Sequence, residues 1–308
     1  MTVKIFAPHP LLRGGHLQTI FGNFATKEIT LLPDEVIIAK TRENSIDINL
    51  NYPKTSNLRT PIAVLIDTDA NEASGYSLAR RAKKILELGV RTARVRIKYP
   101  DHFWTANSSE PTILLKKSLI EIWRRFHYAQ ISLIATSISA TVAIKLLGSR
   151  SPITQQIPNL ASALLVCPIL SPKVNGKSLQ KRFFDVLYGR WISEYLQLMK
   201  STAIPQIDWK HADSNQYMNS QVIRNVTVPT TILATADDPI NNINELLKIP
   251  FNDNISICVE KSGGHAGFIT VKTHGNDRFW LDSCIVRWLQ QSCSKIENTP
   301  ETLKLKSS

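Results

Sequence analysis

Several absences bound this chain before any motif is read. No run of apolar residues approaches the ~18 needed to span a bilayer, and the N-terminus has no charged segment followed by an apolar one. The chain is therefore expected to be soluble, unexported and cytoplasmic. Cysteine is scarce: Cys167, Cys258, Cys284 and Cys293 fall in apparent strands or in and just after the last helix, at no spacing that suits a metal. They are expected to be buried, reduced thiols, with no metal and no organic cofactor. Recognition helices, aromatic strands of the RNA-binding kind and finger spacings are also lacking, which argues against a nucleic-acid partner. There is no internal repeat and no second core. The only low-complexity stretch is the polar tail 294–308, expected to be disordered.

What is present suits a large core. With 308 residues and 43% hydrophobic content, residues 1–293 are read as a single α/β domain. The formal net charge is +12, with basic clusters at Arg80–Lys84, Arg94–Lys98 and Arg124–Arg125. Most charge runs are solvated helix faces or strand ends, and these are read so. The excess nevertheless favours anionic partners, such as an acidic acyl carrier or an anionic membrane surface.

The opening, Phe6–Phe24, has neither a clean strand nor a clean helix pattern. Its Arg13-Gly14-Gly15-His16 suits either a turn that approaches an anion or the mouth of a site, or an arm packed over a sheet. Strand-like runs at Glu35–Lys40 and Ile46–Asn51 read as an antiparallel hairpin. From Pro61 strands alternate with helices, the pattern of a mostly parallel sheet covered on both faces. Strands are expected at Ile62–Asp67, Thr92–Tyr99, Ile131–Thr136, Leu160–Leu170, Val228–Ala234 and Ile255–Glu260. Helices are expected at Tyr76–Leu88, ended by Gly89, and at Ile113–Phe126, Asn242–Lys248 and Arg278–Gln291. Between about 171 and 225 the rhythm breaks into a basic, aromatic, helix-like insertion. It is read as a cap over the strand ends, or equally as helical packing on a sheet face.

The chemistry concentrates where strands end. ISLIAT runs into a helical pattern through Ser137, the arrangement of a nucleophile elbow, here A-x-S-x-S rather than G-x-S-x-G. Asp237 and Asp238 come after a later strand, and His265 after the last one. Ligands of parallel sheets bind at the carboxyl ends of the strands, so Ser137, Asp238 and His265 suit a nucleophile, an acid and a base. Asp238 is preferred to Asp237 because such acids are usually succeeded by one spacer and an aliphatic residue, here Pro239 and Ile240. Gly263, Gly264 and Gly267 leave room for the histidine loop to turn inward.

On these residues the chain resembles the YheT-type branch of the α/β-hydrolases, which includes the embryogenesis-associated and abhydrolase-like proteins. The stretches that carry the resemblance are RGGHLQTI (Arg13–Ile20), the elbow at Ser137, ADDPI (Ala236–Ile240) and GGHAGFI (Gly263–Ile269). The resemblance implies an α/β-hydrolase fold with a helical cap insertion. It also implies a serine hydrolase with Ser137, Asp238 and His265 at the triad positions. The elbow ATSISATVA is similar as well to that of the luminescence-type acyl-transferases, which brings in acyl thioesters. The chain departs from the family in three places. Asp67-Thr68-Asp69-Ala70 replaces the His-Gly stretch that supplies an oxyanion donor, Ala135 and Ser139 replace glycines, and KYPDHFW (Lys98–Trp104) replaces an arginine-glycine turn.

The expected activity is hydrolysis of a carboxylic ester or acyl thioester through a Ser137 acyl-enzyme, with backbone N–H groups of Ile138 and Thr68 as the oxyanion hole. An acyl-transferase on fatty acyl thioesters is the alternative. A second alternative is a non-catalytic hydrolase-fold binding protein, because a carboxylate at Asp67 or Asp69 would oppose a developing oxyanion.

Overall fold

The computed structural model describes residues 6–24, 29–41, 44–68, 72–97, 109–170, 220–272 and 278–297. In chain order these form α1 (Gly15–Phe24), β1 (Glu35–Lys40), β2 (Ser45–Asn51), β3 (Ile62–Thr68), α2 (Glu72–Leu86) and β4 (Arg91–Ile97). They continue as α3 (Glu110–Arg125), β5 (Ile131–Thr136), α4 (Ile138–Leu147), β6 (Leu160–Val166) and α5 (Ser220–Arg224). The last elements are β7 (Thr230–Thr235), α6 (Ile243–Leu246), β8 (Ile255–Glu260) and α7 (Trp280–Glu297).

Eight strands make one sheet in the order β1, β2, β4, β3, β5, β6, β7, β8. The hairpin β1–β2 joins β4 antiparallel, and every other neighbouring pair is parallel. Ile62–Ile66 of β3 and all six residues of β5 are buried, as continuous apolar strands must be when helices cover both faces. Alternation sorts their side chains. Ile62, Val64, Ile66, Leu133 and Ala135 join the core under α3 and α4. Ala63, Leu65 and Ile134 join the core under α2 and α7, with Leu78, Ile85, Leu281 and Ile285. This is the α/β-hydrolase fold, with helices on both faces of a mostly parallel sheet. The expected cap lies outside the described residues except for its last part, which holds α5.

Some expectations are corrected. The opening, which shows no clean helix pattern in the sequence, holds a helix, α1, at Gly15–Phe24. The strand after the elbow stops at Val166, because Cys167 turns to a φ of 46°. Helix α7 runs to Glu297, past the Ser294 at which the polar tail was placed, and 298–308 lie outside the described residues. Cys258 is exposed and Cys284 half-buried; among the cysteines whose side chains are described, only Cys167 is buried. Cys258 sits on β8, the edge strand of the sheet.

The basic clusters are not all solvated. Arg80 and Arg81 are buried at 7% exposure and meet the buried Asp282 of α7 at 2.5 and 3.2 Å. Arg80 also stacks its guanidinium 3.5 Å from the Phe279 ring centroid. Arg94, in a central strand, donates to the Leu31 carbonyl and to Asn51 Oδ1. Arg124 and Arg125 stay exposed as expected, near the negative end of α3.

Candidate active site

Ser137 stands between β5 and α4 with φ 57° and ψ −123°, outside the regions open to most L-residues. Its N–H donates to the Val166 carbonyl at 2.8 Å, so the turn is tied to the neighbouring strand β6. Thr141, one turn into α4, donates to the Ser137 carbonyl and accepts from Ile169 N–H. Ala135 and Ser139, at the positions of the missing glycines, are both small and fully buried. Strain of about 1–3 kcal/mol at such a residue persists only where its surroundings over-determine it, as here.

The structure brings the three predicted residues together. Ser137 Oγ lies 2.7 Å from His265 Nε2, and His265 Nδ1 lies 2.9 Å from Asp238 Oδ2. Both partners of the second pair are almost dry, with side chains 7% and 2% exposed. Asp238 accepts further hydrogen bonds from the N–H groups of Ile240 and Asn241 on Oδ1, and from Asn241 Nδ2 on Oδ2. Burial pushes its pKa up, but the charge and hydrogen bond of His265 and the two backbone N–H groups outweigh this. The carboxyl is held below its ordinary range. A Ser–His–carboxylate chain of this geometry can move a proton from the hydroxyl to the imidazole while the carboxylate steadies the cation.

The loop that carries His265 is bent throughout. Gly263, Gly264, Ala266 and Phe268 all have positive φ, at 139°, 61°, 62° and 48°. It is held from both sides. Asp237 Oδ1 accepts from Gly264 N–H at 2.9 Å, and Thr235 donates to the Gly264 carbonyl at 2.7 Å. Underneath, the fully buried Phe268 stacks on Trp280 at 5.3 Å and meets Phe6 edge-on at 5.4 Å. Cys167 abuts the same loop. Burial raises its thiol well above the ordinary value, so it is protonated at neutral pH.

Helix α1 closes the other side. Thr19 Oγ1 accepts from His265 N–H at 2.8 Å, and Gln18 bonds the Ile269 N–H and carbonyl at 2.7 and 3.1 Å. The approach is so close that a Cβ on Gly15 would sit 1.7 Å from the Asp237 carbonyl oxygen, and one on Gly267 2.0 Å from that of Gln18. Between the two readings left open for Arg13–His16, Gly15 packs on the site loops. Gln18 and Thr19 carry no catalytic signature and enter the sequence reading only as part of RGGHLQTI, while Asp237, weighed there as the acid and set aside for Asp238, serves to hold the loop. The glycines spaced at 15, 22, 264 and 267 are the signal that could have found them, since they mark close backbone approach.

The oxyanion side is less complete. Ile138 heads α4, so its N–H is among the first four, which have no intrahelical acceptor. Ile66 pairs in register with Ala135, two residues before Ser137, and Thr68 is the last residue of β3. Asp69–Asn71 and Lys98–Trp104 lie outside the described residues. Asp67 pairs in register with Arg96, and alternation puts both on the α2 face, where Arg96 lies beside Gly75. Among the described residues, no group of three or more His, Cys, Asp or Glu is placed to hold a metal ion. No described helix is long and apolar enough to cross a membrane.

No family model matches the sequence, and no curated protein matches it. Solved structures do match. The 2,6-dihydroxy-pseudo-oxynicotine hydrolase is 13% identical with a TM-score of 0.54, over 89% of this chain and 70% of that one. An esterase of Pyrobaculum calidifontis is 13% identical, also at 0.54, over 90% and 91%. A fungal esterase from Rhizomucor miehei is 12% identical at 0.54, over 93% and 91%. At these identities the likeness is one of fold, and it agrees with the α/β-hydrolase topology of the sheet.

Proposed function

We propose that the protein is a serine hydrolase that cleaves a carboxylic ester through an acyl-enzyme on Ser137. The observation that carries this reading is the hydrogen-bonded chain Asp238–His265–Ser137, assembled from the ends of three parallel strands with the serine on a strained turn. Solved structures of similar fold are named esterases and a hydrolase, which supports the same reaction class.

In this mechanism Ser137 Oγ attacks the acyl carbon as its proton passes to His265 Nε2. Asp238, already ionised, steadies the imidazolium through Nδ1–H. The Ile138 N–H receives the developing oxyanion, with the Thr68 backbone as the second donor. Collapse expels the alkoxide, or the thiolate of a thioester, which takes the proton from His265. Water, deprotonated by His265, then releases the acid and restores Ser137. The same acyl-enzyme passed to an alcohol would make the protein an acyl-transferase. The binding-protein alternative rests on Asp67 and Asp69: Asp67 falls on the α2 face in register with Arg96, and Asp69 lies outside the described residues.

Pre-steady-state hydrolysis of p-nitrophenyl acyl esters tests the reading. A burst of one nitrophenolate per molecule, absent from Ser137→Ala, is expected. Equal turnover by that variant would remove Ser137 from the reaction.

A further inference from the structure

We propose that Thr19 is a positioning residue for His265, so that helix α1 is a working part of the site rather than an N-terminal arm. The inference rests on the serine-hydrolase reading of that site. The Thr19 hydroxyl donates its own hydrogen to the Gly15 carbonyl at 2.7 Å, which commits its lone pairs to the other side. There it accepts the His265 N–H at 2.8 Å. Asp237, Thr235 and Gln18 grip the loop at Gly264 and Ile269, and Thr19 takes the main chain of His265 itself.

This grip bears directly on the imidazole. Four residues between Gly263 and Phe268 have positive φ, two of them not glycine, and a loop strained in this way relaxes unless it is held. His265 must meet Ser137 at 2.7 Å with one ring nitrogen and Asp238 at 2.9 Å with the other. A small rotation of its main chain spoils both at once. The glycines at the interface allow α1 to approach, since a Cβ on Gly264 would sit 2.6 Å from Thr19 Oγ1. The helix and the loop therefore fit as one unit, although 246 residues separate Thr19 from His265.

Thr19→Val keeps the shape and the β-branch and removes the acceptor, while Thr19→Ser keeps the acceptor. With active sites counted by fluorophosphonate titration, the valine variant is expected to lose about 10- to 100-fold in kcat per titrated site, with KM changed less than about threefold. Thr19→Ser is expected to recover most of the loss. A merely structural role would lower the titrated fraction and leave kcat per site alone, and that result would overturn the proposal. Amide hydrogen exchange tests the grip without chemistry. Faster exchange at 263–267 in Thr19→Val than in wild type, with the core strands unchanged, is expected, and equal exchange would overturn it. If wild type takes no fluorophosphonate, the serine-hydrolase reading fails by itself, and the exchange comparison still decides whether Thr19 positions His265.

Discussion

Asp238 and Asp282 are both buried, at 2% and 1% exposure, and their surroundings give them opposite uses. Asp238 is held by neutral donors, two backbone N–H groups and an amide, and it also meets a histidine. Asp282 is held by the guanidinium groups of Arg80 and Arg81, with Lys84 Nζ at 3.8 Å. The first arrangement includes a partner whose charge can change during a reaction. The second joins fixed charges and fastens α7 to α2. Arg81 also reaches Thr136, the residue before Ser137, at 3.3 Å, so this fixed cluster backs the elbow from beneath.

Asp238→Asn sharpens this contrast most. It is expected to fold and to lose on the order of 10⁴-fold in kcat, because the amide favours the wrong imidazole tautomer. Steady-state kinetics on folded protein checks this, and near-normal turnover would break the contrast on the catalytic side. Asp282→Asn is expected to act on stability instead, by roughly 3–5 kcal/mol, since it strands two buried guanidinium groups. Urea unfolding reads the loss. A stable Asp282→Asn protein without activity would show that the fixed cluster takes part in the chemistry.

The pH dependence of stability separates the two further. The folded Asp238 carboxyl binds its proton less readily than in the unfolded chain. Its contribution is therefore present above the ordinary carboxylate pKa of 3.8 and is lost as pH falls through that value and below. Unfolding midpoints between pH 7 and pH 3 should fall more in wild type than in Asp238→Asn. At the small end, Glu245→Ala removes an exposed pair with Lys248, whose side chains are 53% and 71% exposed. It should shift stability by less than about 0.5 kcal/mol in the same assay.

The elbow strand and β8 are legible in the sequence to the residue, because each is a short apolar run with abrupt ends. The sheet is legible for the same reason. Ser137 and His265 are readable as candidates because each lies just past such a run. Asp238 is separable from Asp237 only by Pro239 and Ile240 on its C-terminal side. In the structure the choice turns on which carboxylate faces the imidazole, while its neighbour turns to the Gly264 N–H. Helix α1 is not legible, because two glycines weaken its pattern and its partner loop lies some 250 residues away. The burial of Arg80, Arg81 and Arg94 escapes notice too. A charge run looks the same whether its counter-groups are solvent or a distant aspartate, amide or carbonyl.

The most direct measurement is labelling of the purified chain with a fluorophosphonate, followed by peptide mapping. An activated serine at the elbow predicts stoichiometric label on Ser137, lost in His265→Ala as well as in Ser137→Ala. Folded wild-type protein that takes no label, or takes it at another residue, would contradict the acyl-enzyme at Ser137.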